Sequence, residues 1–403
     1  GDHGAWANSE NGHAHYYIIY LWDITLDLIR NFIYSHFNSG SEVERRETVH
    51  RSLERIRQVF PNTRTKNKAE EYARCRMQCR FGFLAKDSFY HDVRRTVRAQ
   101  VATARWKRRP ADFVFDLATD IARNEHLELY RRLTVPTASP EFLQDFEVKS
   151  GTTKSPRNLS VFLRELKEYS VTHTLVFAMM AKYVEEVDGR KRRRVARVVN
   201  RNLSRLASFV LRTAFVAKFE PSHFEREFAN FAAEIACSND VADEEFAQFL
   251  RGCDRSEQNV LDDAHFQTIM ASAQMRGNQK VKSLLLGINR EGRPDAVVLN
   301  DLNCSVEHVL PKGEEHWSGW KGFGGVDPSE WVHRIGNLTL MGRGDNKPGG
   351  RFNGGFDKKA DVFAESGVAI TRNIAKLESW SPTEIERRQR DMAKLAVRVW
   401  PFP

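Results

Sequence analysis

The chain reads as a mainly α protein, a large helical domain followed by a small α+β domain with a helical tail. Three observations predict this. From about residue 16 to about residue 290, apolar residues recur at spacings of three and four between charged ones, the period of an amphipathic helix. Near Asn289 that pattern gives way to turn residues and short β-branched runs, followed by a stretch rich in Gly and Trp. The chain then closes on a segment carrying a full set of helix-start signals.

Residues 16–35 and 42–59 are the first two predicted helices, and in the second Val49, Leu53, Ile56 and Val59 form an apolar stripe on a charged rod. Residues 158–187 and 191–217 follow, the latter with Val195, Val198, Leu203, Leu206, Val210 and Leu211 marking a buried face. Helices also fit 225–236, 243–251 and 280–288. Clusters such as "NSGSE" and "VPTASPE" announce the loops between them. Beyond the change of character, 357–366 is helical. The last helix starts with Ser381 as cap, Pro382 at the first helical position and Glu384 completing a capping box. Ile385, Met392, Leu395 and Val399 supply its apolar stripe. The expected domains are therefore 1–290 and 291–403.

Composition narrows the function classes. A formal charge of +9 with a pI near 9.3, spread among 29% charged residues of both signs, favours a polyanionic partner. Five cysteines scattered over 403 residues do not form a disulfide framework, so a reducing cytoplasm is the expected setting. No apolar run approaches the roughly 20 residues needed to cross a bilayer. The opening "GDHGAWANSENGHAH" lacks the pattern of a signal peptide and reads as the start of a piece of a longer chain, or as a linker.

Upstream, several motifs have both a chemical and a structural reading. In "GRKRRRVARVVNR", Arg192, Arg193, Arg197 and Arg201 share a helix surface that either meets phosphates or is a solvated helix start. Trp106 in "RWKRRP" is expected in the core rather than over a base. Cys75 and Cys79 sit one helical turn apart with no second ligand pair, so they are expected as buried core cysteines rather than half a zinc site.

The stretch "CSVEHVLPKGEEHW" is richer. Hydrolysis of a phosphodiester needs a base to activate water and a cation to neutralise developing charge. Glu307 and His308 offer a carboxylate beside an imidazole, and a twist or bulge at the strand end would let both converge. Pro311 fits a chain leaving the ladder. His316 and His333 read as bystanders, His333 near any bound DNA.

"VEHVLP", "HRIGNLTLM", "GDNKP", "NGGFDKK" and the tail "IERRQRDMAKLAVRVWP" together resemble the C-terminal HNH nuclease domain of the GmrSD family of modification-dependent restriction endonucleases, to which the phosphorothioate-sensing SspE proteins are similar. The resemblance covers about the last hundred residues. It implies a ββα-metal fold holding one divalent ion, Mg²⁺ or Mn²⁺, a bacterial phage-defence setting, and DNA as partner. By the same resemblance His308 matches the general base, Glu307 the acidic metal ligand, Asn337 the residue holding the loop that carries the base, and Asn346 the last metal-side residue. Asn353, Phe356 and Lys359 match trailing positions, although the segment between Asn346 and Asn353 is longer than the family's. Lys312 stands where the family has a polar residue after the proline. The family's N-terminal nucleotide-hydrolysing sensor, with its Asp-Gly-Gln-Gln-Arg signature, is not in this sequence and is expected as a missing partner domain.

Two functions follow as expectations. One is a metal-dependent DNA endonuclease that nicks one strand, with Arg334, Arg343, Lys347, Arg351, Lys358, Lys359, Arg192 and Arg193 placing the phosphate backbone by charge. The other is a DNA-binding or regulatory helical module with an inactive nuclease-like domain.

Overall fold

The structure is a computed structural model. It describes residues 29–37, 43–60, 68–134, 166, 169–216, 218, 220–238, 243–253, 259–276, 278–292, 304–342 and 355–402. The described residues fall into two compact units.

The first unit draws on Gly1–Phe142, Ser170–Val199 and Ser222–Val241 and is helical throughout its described part. Its helices are α1 (Val43–Val59), α2 (Lys68–Phe81), α3 (Phe89–Val101), α4 (Pro110–Ile121), α5 (Asn124–Thr134), α6 (His173–Glu185), the start of α7 (Gly189–Val210) and α8 (Glu225–Cys237). The stripe read in α1 is observed, with Val49, Leu53 and Ile56 buried. Helices α2, α6 and α8 pack together. A chain of aromatic contacts runs through Phe60, Tyr72, Tyr130 and Phe177, with the Tyr72 hydroxyl donating to Ile121 O at 2.6 Å. Burial pushes the Tyr72 phenol well above its ordinary value. Cys75 and Cys79 are buried in this core as expected. Trp106 is half-buried, stacked among Arg105, Arg109 and Phe113. Its core placement fails because the segment around it is almost entirely exposed.

The second unit draws on Leu143–Tyr169, Asn200–Pro221 and Ala242–Pro403. The compact unit containing the strands thus reaches back well before residue 291. Its further helices are α9 (Glu244–Cys253), α10 (Asp263–Ser272), α11 (Asn278–Gly292), the short α12 (Ser329–Val332), α13 (Phe356–Ala364), α14 (Ala369–Arg372) and α15 (Pro382–Val399). Strands β1 (Cys304–His308) and β2 (Leu338–Gly342) pair antiparallel, from Cys304 opposite Gly342 to His308 opposite Leu338. The helix expected over 191–217 ends earlier: Leu211–Val216 forms a π-helical turn after α7. There Arg212 is fully buried, donating to Trp400 O and Leu261 O and pairing with Asp263 at 2.5 Å. A buried guanidinium needs this many acceptors, and a π-turn is a common way of re-aiming one side chain.

Helix α15 organises this unit, packing on α10, on α11 and on the turn before β2. Ser381 caps it as read, its hydroxyl accepting from Glu384 N, and Pro382 occupies the first turn. The core around the sheet holds Val309, Leu310, Trp320, Phe323, Met341, Phe356, Phe363, Ile374, Trp380 and Ile385.

Candidate active site

The two strands and α13 bring together a small group of polar side chains at the end of β1. Of the twist or bulge expected to let Glu307 and His308 converge, the ladder shows no bulge: it runs in regular register up to His308. Alternation along a regular strand sends neighbouring side chains apart. Accordingly the Glu307 carboxylate meets Lys359 of α13, while the His308 ring meets His333, ring centroids 5.8 Å apart and nearly perpendicular.

His308 is mostly buried, and its Nε2 has no hydrogen-bond partner among the described residues. Burial, with the charges of Lys312, His333 and Lys359 adding to it, pulls its pKa down to about 3. The ring is therefore neutral at ordinary pH. Burial also lowers His333, with Arg276 and Lys312 acting in the same direction. His333 belongs to a segment tied to the chain after α10, where Met275 N donates to His333 O at 2.9 Å and Ile335 N donates to Ala273 O.

Asn337 is completely buried and fully used. Its Oδ1 accepts from Leu310 N at 2.7 Å and from Trp380 Nε1 at 3.0 Å. Its Nδ2 donates to Leu310 O at 3.1 Å and Val332 O at 3.0 Å. Its main-chain oxygen accepts from Val309 N at 2.9 Å. One residue thus fixes the chain immediately after His308 through both its side chain and its backbone. Helix α15 seats the turn carrying Asn337. Gln389, fully buried, accepts from Gly336 N and Arg334 Nε while donating to Met270 O and Ala273 O. Arg388 donates to Gly336 O and Leu338 O, on either side of Asn337. Gly336 is required for the approach, since a Cβ there would overlap the Ile385 carbonyl oxygen.

The remaining expected site residues divide. Lys359, expected among the DNA-facing cations, is fully buried: its ammonium donates to Glu307 Oε1 at 2.8 Å and to His308 O at 2.6 Å, where no phosphate reaches it. Burial lowers its pKa and Glu307 opposes the shift. Arg334 is half-buried, stacked on Trp331 and donating to Gln389 and to Ala271 O, so its guanidinium is turned into the fold. Lys358 is exposed on α13. Arg192 and Arg193 are exposed in the first unit, Arg192 lying over the Tyr183 ring. Asn346, Arg343, Lys347, Arg351 and Asn353 lie outside the described residues. Sequence reading missed Trp380, Arg388 and Gln389, whose side chains hold the Asn337 turn from 43 to 55 positions away.

Among the described residues no group of three or more His, Cys, Asp or Glu is placed to hold a metal. The Glu307 carboxylate, 20% exposed, is nonetheless an oxygen donor of the kind taken by a hard divalent ion that keeps most of its own waters.

Residues 256–395 match the family described as GmrSD restriction endonucleases, C-terminal domain. The match bears out the resemblance read from the motifs and begins upstream of the strands, at a point inside the second compact unit. It implies a nuclease of a modification-dependent restriction system that acts on DNA. No curated protein matches this chain. Among the described residues no helix is long and apolar enough to cross a membrane.

Proposed function

We propose that the second unit is a metal-dependent HNH DNA endonuclease that nicks one strand. The observation carrying this reading is the arrangement around one peptide segment: His308 keeps a buried ring nitrogen without a partner among the described residues, while Asn337 fixes Val309 and Leu310 with three hydrogen bonds. A general base needs a free nitrogen held at a fixed point, and this supplies both.

In this reading His308, neutral at the pH of the cell, accepts the proton of the attacking water. Asn337 holds the backbone on which the base is mounted, so the ring does not drift from the water's line of attack. Glu307 and Asn346 would hold Mg²⁺ or Mn²⁺, which when bound supplies positive charge for the phosphate and the departing 3′ oxygen. Lys312 adds positive charge near the base and favours a phosphate there. A single such site cuts a single strand, so nicked circles are the first product. The Arg and Lys residues that remain exposed, Lys358 with Arg192 and Arg193, would contact the backbone without reading sequence.

Conversion of supercoiled plasmid to nicked circle with Mg²⁺ or Mn²⁺, against an EDTA control, tests the reading. Metal-dependent nicking supports it. Binding of DNA with no nicking under either metal would replace it with the DNA-binding module whose nuclease fold is inactive.

A further inference from the structure

We infer that Lys359 is a positioning residue for the catalytic pair and not a DNA contact; the inference rests on the nuclease reading above. Helix α13 is anchored in the core by Phe356 and Phe363, and Lys359 lies on the same buried side of it. The ammonium is fully shielded from solvent. Burying an unpaired ammonium is strongly unfavourable, so a lysine survives there only with strong acceptors at close range. Two of its acceptors come from consecutive residues of β1: Oε1 of Glu307 at 2.8 Å and the main-chain oxygen of His308 at 2.6 Å.

The second of these bonds has a definite mechanical consequence. The His308 carbonyl and the Val309 amide belong to one peptide unit. Lys359 holds its oxygen, and Asn337 O holds its N–H at 2.9 Å. The peptide following the base is thereby clamped on both sides by two elements far apart in sequence. The first bond adds a torsional restraint. Glu307 and His308 leave a regular strand on opposite faces, so nothing in the strand itself fixes one side chain relative to the other. A single ammonium bonded to the side chain of one and the backbone of the other ties the Glu307 carboxylate to the peptide that carries the base.

The test compares wild type, Lys359→Met and Lys359→Arg in plasmid nicking at saturating DNA, in DNA affinity across a salt series, and in thermal melting. We expect Lys359→Met to lower the turnover rate on the order of ten- to a hundred-fold, the scale for residues that orient a catalytic group through another. DNA affinity and its salt slope stay those of wild type, because a buried ammonium releases no counterion from the duplex. Lys359→Arg retains the charge with a larger head group and gives an intermediate rate. If Lys359→Met does not fold, Lys359→Arg alone decides, and a wild-type rate for it overturns the inference. A salt slope reduced by about one with turnover unchanged would restore Lys359 as a phosphate contact. Equal turnover of Lys359→Met and wild type per folded molecule would show a purely structural ion pair. A wild type that binds DNA and never nicks removes the nuclease reading, and this inference with it.

Discussion

Asn337 and Leu310, 27 positions apart, exchange a reciprocal pair of hydrogen bonds: Leu310 N donates to Asn337 Oδ1 at 2.7 Å and Asn337 Nδ2 donates to Leu310 O at 3.1 Å. An amide side chain is here imitating a strand partner for the residues that follow the base. Because Asn337 is wholly buried, each bond it makes is exchanged for an unsatisfied group when the side chain is cut back. Asn337→Ala is expected to cost about 2–4 kcal/mol of unfolding free energy, the scale for stripping partners from several buried polar groups. Urea denaturation measures it, and a loss below about 1 kcal/mol would mean that water enters and replaces the amide. Asn337→Asp should be no better, since its second oxygen would face the carbonyls of Leu310 and Val332.

The Gly336 prediction separates a backbone constraint from ordinary tolerance. A methyl group at Gly336 overlaps the Ile385 carbonyl in α15, which cannot move without disturbing the helix. A methyl group at Gly313 meets only the end of the Glu315 side chain, which can swing away. Gly336→Ala is therefore expected to lower stability by about 1–3 kcal/mol while Gly313→Ala changes it by less than about 0.5 kcal/mol. Paired thermal melts give the comparison, and equal melting temperatures would contradict the close packing of the turn on α15.

His308 also predicts a pH dependence of folding. Its pKa is about 3 in the fold, against an ordinary value near 6.5. Between those two values the unfolded chain binds the proton and the folded ring does not, so stability rises with pH through that window. Above pH 6.5 the ring is neutral in both states and contributes no penalty. His308→Gln, which cannot titrate, is expected to lose less stability than wild type as the pH falls from about 6.5 toward 4. Parallel acid titrations of the two proteins, followed by denaturant melts, show whether the curves diverge below pH 6.5 or run together.

Thiol chemistry tests the helical unit. Cys237 is exposed, whereas Cys75, Cys79, Cys253 and Cys304 are buried, and burial pushes the Cys75 thiol well above its ordinary value. A thiolate is the reactive form, so one fast-reacting thiol is expected in native protein. Cys237→Ser should remove that fast phase with a disulfide reagent, while denaturant should restore reaction at the remaining four. A fast phase that survives the substitution would place a second thiol at the surface.

How much of this was legible in the sequence depended on whether the signal was local. The cap at Ser381 and Pro382, the stripe of α1 and a strand that ends ahead of Pro311 rest on neighbours in sequence, and each is observed. The ordered motifs pointed to the family whose match, at 256–395, begins well upstream of the hundred residues they covered. Lys359 was not legible. A lysine beside Lys358 in "FDKKAD" reads as a second surface cation, and only the packing of α13 on β1 turns it inward. Gln389 and Arg388 were hidden for the same reason, appearing as two more polar residues on an amphipathic tail until the Gly336–Asn337 turn comes to rest on them. A twist or bulge was expected to let Glu307 and His308 converge; the ladder carries no bulge up to His308, and the two side chains meet different elements, α13 and the chain around His333.

The central claim is that His308 is the base of a nuclease site, and single-turnover nicking of supercoiled plasmid by wild type and His308→Ala, with DNA affinity measured alongside, tests it most directly. The account predicts that the substitution lowers the nicking rate by about a hundred-fold or more, the contribution expected of a general base, while DNA affinity is little changed. A His308→Ala protein that nicks as fast as wild type would contradict it.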